Sequence, residues 1–146
     1  MADAAMTIKC EFDGYWREPN KGSLPAKAGV YCVYGCTYDE KAKKVNLAKL
    51  VYIGEAGDIK DRVANHDKLD AWKKQLSSGQ ILCYSAALLA PDTTRQRAEA
   101  ALIFKHKPPV NTEYAHSFPF DTTTIETSGT TAKLVTPFTV KKDATD

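Results

Sequence analysis

The chain has 146 residues, of which 43% are hydrophobic and 26% are charged, and its formal net charge is +2. These values are ordinary for one globular domain and exclude the composition of an intrinsically disordered chain. No apolar run approaches the roughly 20 residues of a membrane-spanning helix, and the start, MADAAMTIK, has neither the basic nor the apolar part of a signal peptide. We therefore expect a single domain over residues 1–146, in a cytoplasmic protein without a membrane partner.

The four cysteines are scattered along the chain, without a CxxC pair or a histidine at metal-ligand spacing, so a zinc site is not expected. Cys32 and Cys36 share one segment and could meet only through a turn inside it. In an intracellular protein, Cys10, Cys32, Cys36 and Cys83 are therefore predicted to be buried, reduced thiols in strands.

Residues 1–27 are predicted to be an N-terminal extension with little regular structure. Ile8, Cys10 and Phe12 alternate with other residues, which is typical of a short strand. A loop is expected to follow, because prolines and a glycine lie between residues 19 and 25.

Two strands are predicted next. AGVYCVYGCTY, which begins at Ala28, consists mainly of small, β-branched and aromatic residues. A polar connection over residues 39–49 leads to LVYIGEA, which begins at Leu50 and is expected to end at Gly54. Because no convincing helix joins them, the two strands should pair antiparallel.

Asp58 then occupies the position of a helix N-cap, where its carboxylate can accept a hydrogen bond from an otherwise unpaired amide. A helix is predicted over residues 59–66. A second helix, or a continuation of the first, is predicted over residues 69–76.

QILCYSAALLA, which begins at Gln80, is predicted to be a third strand. Pro91 interrupts the chain, and Asp92 is expected to cap an alanine-rich helix over residues 93–107. Two prolines, beginning at Pro108, should end that helix.

The composition shifts to Thr, Ser, Pro and Phe in residues 114–146, a Thr-rich C-terminal extension. Its segment IETSGTTAKLV either forms a hairpin that turns at Ser128 and Gly129 or belongs to a partly mobile tail. The predicted fold class is α+β: a small antiparallel sheet of about three strands flanked by helices, with its core at residues 28–113.

Short motifs in this core follow one another in a distinctive order. GVY is followed by VYIG, then by an arginine, a histidine, a glutamate in the alanine-rich helix and an asparagine beyond it. This order resembles the GIY-YIG nuclease family, which contains homing endonucleases, restriction enzymes and repair nucleases, over about residues 28–113. The matching positions are Gly29, Val30, Tyr31, Tyr52, Ile53, Gly54, Arg62, His66, Glu99 and Asn111.

The resemblance implies a GIY-YIG-like α/β sandwich and a metal-dependent endonuclease that hydrolyses phosphodiester bonds in DNA. It implies that Glu99 binds a single Mg²⁺ or Mn²⁺ ion, whose other ligands are water and the substrate phosphate. One of the two tyrosines would be the general base, and the sequence does not say which. The implied catalytic residues are Tyr31, Tyr52, Arg62, His66, Glu99 and Asn111, with Gly29 and Gly54 as structural residues of the site.

Arg62 and His66 are four residues apart, so they are expected on one face of the helix that follows Asp58. The guanidinium of Arg62 offers a fork of donors to phosphate oxygens. His66 could donate a hydrogen bond to the phosphate or to the leaving oxygen. Asn111 would orient neighbouring groups rather than react.

Basic residues gather in three clusters, around residues 41–49, 60–74 and 95–107, which could line a DNA backbone although acidic residues intersperse them. The first cluster contains Lys41, Lys43, Lys44 and Lys49. The individual candidates for DNA contacts are Lys60, Lys68, Lys73 and Lys105.

Three features depart from the family pattern. The link from Cys36 to Leu50 is longer than usual, although an insertion in a hairpin costs little. Glu55 follows YIG where several members have lysine, which could remove a positive group near the tyrosines. No second domain for target choice is attached, so a targeting partner and a homodimer both stay open.

The motif residues also have structural interpretations. Arg62 could pair with Asp58, and Glu99 could pair with Arg95 on a wet helix face. A chain with only such pairs would be a non-catalytic nucleic-acid-binding domain or a small protein-interaction module. Salt-dependent binding without cleavage would favour the first alternative, and no affinity even at low salt the second.

Overall fold

The computed structural model describes residues 5–146, so residues 1–4 of the N-terminal extension lie outside the described part. The described residues form one β-sheet with three α-helices and a 3₁₀ helix. The strands are β1 (Met6–Arg17), β2 (Gly29–Asp39), β3 (Lys44–Ala56), β4 (Ile81–Leu88), β5 (Thr123–Gly129) and β6 (Phe138–Val140). The helices are α1 (Ile59–Ala64), α2 (Leu69–Lys74) and α3 (Asp92–His106), and the 3₁₀ helix spans Glu18–Ser23.

The sheet has six strands in the order β3-β2-β4-β1-β5-β6. The pair β1–β5 is parallel, and the other neighbouring pairs are antiparallel. The predicted fold, a sheet of about three antiparallel strands flanked by helices, is therefore wrong. The added strands come from both ends of the chain, and the pairing of Met6 with Thr123 joins segments so far apart that local sequence patterns do not report it.

Between residues 28 and 107, the order of elements is the predicted one, and β2 and β3 pair antiparallel as expected. Their bounds differ in one respect that matters for the site. β3 begins at Lys44, inside the predicted polar connection, and continues through Gly54 to Ala56, so Gly54 lies within the strand rather than ending it.

The helix ends also differ from the prediction. Asp58 does cap α1, because its carboxylate accepts a hydrogen bond of 2.9 Å from the amide of Asp61. Asp92 does not cap α3; it is the first helical residue, and its carboxylate pairs with Arg95 at 2.7 Å. None of the helices within residues 5–146 is long and apolar enough to cross a membrane.

Both faces of the sheet are covered, and the first eight residues of β2 are buried. Tyr31 and Val33 face α1 and the Trp72 side chain of α2. Cys32 and Tyr34 point to the other face, which is packed against α3 and the terminal strands. A strand covered on both sides reads as a continuous apolar run, which is why β2 has a clear sequence signal.

The C-terminal residues are part of this core. Ser128 and Gly129 pair with β1 instead of forming a turn, so the hairpin with a turn at these residues is wrong. β5 does pair antiparallel with β6, but the connection runs over residues 130–137. Ile125 and Phe138 are both buried in the core beneath α3.

Cys36 and Cys83 form a disulfide between β2 and β4, with their Cα atoms 6.3 Å apart. The prediction of reduced thiols is wrong for this pair, whereas Cys10 and Cys32 are free and buried as predicted. In the register of the two strands, Tyr34 is opposite Cys83 and Cys36 is opposite Ile81, so the bonded cysteines are diagonal neighbours on one face.

Candidate active site

Tyr31 and Tyr52 lie on the neighbouring strands β2 and β3 and point to the same face of the sheet. Their ring centroids are 6.3 Å apart, and their residues are 1% and 9% exposed. Burial, with Tyr52 as a further cause, raises the pKa of Tyr31. Burial and the nearby Glu99 raise the pKa of Tyr52 to about 12. Both phenols are therefore protonated at neutral pH unless other groups favour the phenolate.

Gly54 pairs with Tyr31 across the β2–β3 ladder. A Cβ atom at Gly54 would lie 2.4 Å from the Tyr31 hydroxyl oxygen, well inside van der Waals contact. Gly29 has a different constraint, because a Cβ there would lie 2.1 Å from the carbonyl oxygen of Ala87 on β4. The glycine of VYIG thus makes room for the tyrosine of GVY, and Gly29 allows close strand packing.

His66 is not on α1, contrary to the prediction that it shares a helix face with Arg62. The helix ends at Ala64, and Asn65 leaves the helical region with φ −131° and ψ 46°. Asparagine favours such positions because its side chain competes for backbone hydrogen bonds. His66 is nevertheless brought to the two tyrosines, by the turn that joins α1 to α2.

The hydrogen bonds of His66 define its tautomer. Its Nδ1 accepts a bond of 3.0 Å from the backbone amide of Lys68. The other ring nitrogen, Nε2, lies 2.9 Å from the Tyr31 hydroxyl and therefore carries the hydrogen and donates it. Asp67 also lies 3.2 Å from Nδ1, but burial first and Arg62 second lower the His66 pKa to about 4, so the ring is neutral at pH 7 and this contact is not an ion pair.

Trp72 completes the wall around His66, with ring centroids 4.3 Å apart. The same indole packs against Tyr52 and Tyr84 and is fully buried. This apolar contact is one source of the desolvation that keeps His66 neutral. Sequence reasoning missed Trp72 as a residue of the site; its only signal was a large aromatic residue in a short amphipathic helix.

Arg62 is exposed on α1, and it lies close enough to Tyr31 for its positive charge to lower the pKa of the phenol, against the effect of burial. None of the ion pairs within residues 5–146 joins Arg62 to Asp58, so the pair considered as the structural alternative is not formed. The Tyr31 hydroxyl thus receives a hydrogen bond from His66 and is influenced by the charge of Arg62.

Glu99 lies on α3, half-buried beside the edge strand β3. Burial, followed by the charges of Glu55 and Glu113, raises the pKa of its carboxyl to about 8, although the backbone of Glu55 and the charge of Arg62 act to lower it. The alternative pair between Glu99 and Arg95 is not formed. Arg95 instead binds Glu55 at 2.8 Å.

Glu55 therefore has an ion-pair partner that the sequence did not predict. Its negative charge is matched by Arg95, a buried arginine that also pairs with Asp92 at 2.7 Å. Both members of the pair line an open pocket of about 430 Å³ at the β3–α1 corner, together with Arg62. Another pocket, of about 500 Å³, lies around Arg97 and Phe120 and contains none of the predicted site residues.

Asn111 binds the backbone of β3. Its side-chain oxygen accepts from the amide of Ile53, and its side-chain nitrogen donates to the carbonyl of Ile53, both at 2.9 Å. The preceding Val110 amide donates to the carbonyl of Val51 at 3.2 Å. These contacts satisfy backbone groups on the outer edge of β3 beside the tyrosines and hold the strand in place.

The four lysines predicted to contact DNA do not lie on one surface. Lys60, Lys68 and Lys73 follow one another along α1, the connecting turn and α2. Lys105 instead lines a separate pocket with Lys107 and Lys141, at the end of α3 near β6.

The donor chemistry fits a hard cation with few protein ligands. Within residues 5–146, no three His, Cys, Asp or Glu side chains are grouped closely enough to hold a metal ion by themselves. One carboxylate, Glu99, stands near the tyrosines, which suits an ion such as Mg²⁺ that keeps several waters and takes substrate phosphate as a ligand. Glu55 and Glu113 add negative charge nearby.

No protein-family model, curated protein or solved structure matches the chain.

Proposed function

We propose that the protein is a divalent-metal-dependent endonuclease that hydrolyses phosphodiester bonds in DNA. The observation that supports this most strongly is the setting of the Tyr31 hydroxyl, which receives a hydrogen bond of 2.9 Å from neutral His66. Arg62 and Glu99 both lie close enough for their charges to act on the pKa of Tyr31. A buried tyrosine with a purely structural role needs one hydrogen-bond partner for its hydroxyl, not an arginine and a carboxylate beside it as well.

Tyr31 is the general base in this proposal. A phenol oxygen has two acceptor positions and one proton of its own. His66 fills one acceptor position, and the charge of Arg62 favours the phenolate. The phenol proton is lost to solvent before the reaction, which leaves a phenolate that both groups stabilise. That phenolate accepts a proton from the water that attacks phosphorus.

Arg62 also faces the open pocket at the β3–α1 corner, so its guanidinium can bind a phosphate oxygen while its charge acts on Tyr31. His66 orients the phenol through its Nε2–H group and stays neutral over the working pH range because its pKa is about 4. Asn111 and Gly54 hold β3 where the tyrosines meet.

Glu99 is the residue that would hold the divalent cation. When bound, such an ion neutralises charge that builds on the phosphate and on the leaving oxygen. Glu99 has to lose its proton to serve as a ligand, since its pKa of about 8 leaves it largely protonated at pH 7. Cation binding should therefore be weak without DNA and stronger when substrate phosphate completes the ligand set.

The direct test is nicking of supercoiled plasmid with Mg²⁺ or Mn²⁺, with branched and flapped duplexes as further substrates. Wild-type protein should nick, EDTA should stop the reaction, and Glu99→Gln should abolish it. Glu126→Gln is the matched control, because it removes the same charge from an exposed residue of β5.

A folded wild-type protein that binds DNA with a salt-dependent affinity but cuts none of these substrates would be a non-catalytic nucleic-acid-binding domain. Nicking that survives Glu99→Gln would mean that the metal site has been placed wrongly.

A further inference from the structure

The β2–β3 hairpin carries a basic cluster that the proposed active site does not use. β2 pairs with β4 only as far as Cys36, which lies opposite Ile81. Its pairing with β3 continues to Asp39 opposite Lys44. Within the described residues, the hairpin of residues 37–46 thus extends past the start of β4 as a two-stranded ribbon, which we call the hairpin arm.

The tip of the arm is held in one shape by its own side chains. The Asp39 carboxylate accepts hydrogen bonds from the amides of Lys41 and Ala42 at 3.0 and 3.1 Å. Lys43 adopts a left-handed conformation with φ 57°, which closes the turn. At the base of the arm, the Arg17 guanidinium lies 3.8 Å from the centre of the Tyr38 ring. The arm is therefore an ordered surface rather than a loose loop.

Positive charge dominates this surface. Lys41, Lys43 and Lys44 are all exposed at the tip. None of the ion pairs found within residues 5–146 involves any of the three. The acidic residues of the tip are Asp39, whose carboxylate is engaged in the turn, and Glu40. Free lysines on a rigid projection match the phosphate backbone of a nucleic acid.

The distance between the tip of the arm and the active site can be estimated along β2. Tyr31 and Asp39 are eight residues apart on β2, which at about 3.3 Å per residue is roughly 26 Å. Duplex DNA rises about 3.4 Å per base pair, so this span corresponds to about eight base pairs. A two-stranded ribbon also has a suitable width for the major groove of B-DNA.

We infer that the hairpin arm is a second DNA-contact surface, which holds duplex DNA about eight base pairs from the phosphate that the active site cuts. The inference rests on the proposed function, because it takes the position of the cut phosphate from Tyr31. It assigns a role to the long link between the two motifs.

The test compares two variants with equal charge. The arm variant carries Lys41→Gln, Lys43→Gln and Lys44→Gln. The control carries Lys9→Gln, Lys133→Gln and Lys141→Gln, three exposed lysines outside the arm and outside the predicted DNA contacts. Dissociation constants are measured in EDTA, over a series of salt concentrations, for a duplex of 30 base pairs and for a duplex of 5 base pairs whose strands are cross-linked so that it stays paired. Circular dichroism and thermal midpoints check that both variants are folded.

On the 30-base-pair duplex, the arm variant should bind at least about tenfold more weakly than wild type at low salt. The slope of log affinity against log salt should fall by about 2 to 3, since each lost phosphate contact removes about 0.9. On the 5-base-pair duplex, which at about 17 Å is too short to reach from the site to the tip, wild type and arm variant should bind alike. The control should match wild type on both.

The arm variant and the control could bind the long duplex equally well while wild type still binds and nicks DNA. That result would overturn the inference about the hairpin arm and leave the proposed function intact. An equal loss on both duplexes would also overturn it, because the tip would then contact DNA next to the cut phosphate. If wild type binds neither duplex at low salt, the proposed function itself fails, and an acidic protein becomes the partner to seek for the arm.

Discussion

Tyr31 and Tyr34 are three residues apart on β2, both are almost fully buried, and burial raises the pKa of both. Tyr34 donates its hydroxyl proton to the carbonyl of Ala132 at 2.8 Å. Tyr15 accepts from the amide of the same residue, so two phenols hold the backbone of one residue in the loop before β6. Tyr31 instead accepts a hydrogen bond from His66 and lies near the charge of Arg62. Burial is therefore common to both tyrosines, and the direction of the hydrogen bonds separates a structural phenol from a candidate base.

The largest expected difference between the face of the sheet that carries Tyr31 and the face that carries Tyr34 concerns the rate of DNA nicking. Tyr31→Phe should lower the rate by about 10²- to 10⁴-fold, the usual contribution of a general base. Tyr34→Phe should leave the rate unchanged and lower the free energy of unfolding by about 1–3 kcal/mol, because the Ala132 carbonyl loses its donor. Plasmid nicking and urea unfolding measure both effects on the same preparations.

A Tyr31→Phe protein that nicks at the wild-type rate would transfer the role of base to Tyr52, whose Phe variant should be measured in parallel. Equal rate losses in Tyr31→Phe and Tyr34→Phe would indicate that a general loss of stability, rather than chemistry, limits nicking.

The disulfide belongs to the Tyr34 face and should act on stability alone. Cys36 and Cys83 close a loop with a sequence separation of 47, for which the chain-entropy model gives about 4 kcal/mol and typical measurements about 2–4 kcal/mol. Replacing both cysteines by alanine should therefore lower the free energy of unfolding by about this amount. The nicking rate per folded molecule should not change.

Urea unfolding of the double variant, and of wild type with and without a reductant, measures this difference. A change below about 0.5 kcal/mol would show that the bond does not constrain the unfolded chain as a loop of this length should. A selective loss of nicking at full stability would show that the two faces are coupled.

The two faces also differ in how much of them could be predicted from sequence. The Tyr31 face is built from residues 29–76, in which strands and helices alternate at short range, and its motif residues do meet. The Tyr34 face depends on β1 and β5, which pair across most of the chain, and on β6 beside β5. Local periodicity carries no signal for a pairing between such distant segments, so the strand count was wrong. The disulfide was missed because reduced thiols were expected in an intracellular protein.

Even within the Tyr31 face, the sequence predicted the proximity of His66 to the tyrosines for a partly wrong reason. His66 was assigned to the face of a helix that ends before it, and it reaches Tyr31 through a turn. The partner of Glu55 was missed because Arg95 lies 40 residues further along the chain. Spacing identifies which residues can act together, whereas hydrogen bonds between distant elements decide how they do so.

Gly54→Ala should test the Tyr31 face by a steric effect alone. Its Cβ would lie 2.4 Å from the Tyr31 hydroxyl, so the ring has to move, at a cost of about 1–3 kcal/mol for an overpacked core. Gly35→Ala is the matched control, because its Cβ would meet the flexible ends of Leu76 and Gln80 at 3.1 and 3.2 Å. We expect the first variant to lose stability and most nicking, and the second to lose less than about 1 kcal/mol.

These two alanine variants are compared by urea unfolding and by nicking at a temperature where both are folded. If Gly54→Ala nicks normally, the position of the Tyr31 hydroxyl does not matter for the reaction. If Gly35→Ala is the more damaging of the two, the ring of Tyr31 has more room than the packing indicates.

A further expected effect is a pH dependence at Glu99, and its sign follows from the raised pKa. A carboxyl with a pKa of about 8 in the folded protein and an ordinary value in the unfolded chain stabilises the fold most at acidic pH, and this contribution is lost as pH rises to about 8. Glu99→Gln should remove that part of the slope. His66, with a pKa of about 4, has the opposite effect: its contribution is full above about pH 6.5 and is lost as pH falls towards 4.

Cation binding gives the more specific measurement. Because Mn²⁺ needs the carboxylate, its affinity should rise about tenfold per pH unit up to about pH 8 and then level off, with nearly one proton released at pH 7. Isothermal titration calorimetry of the DNA complex, in two buffers of different ionisation enthalpy, counts that proton; phosphorothioate linkages slow its cleavage. Affinity that is flat between pH 6 and 8, without proton release, would mean that Glu99 is not the ligand, because no cation can bind this carboxyl without displacing its proton.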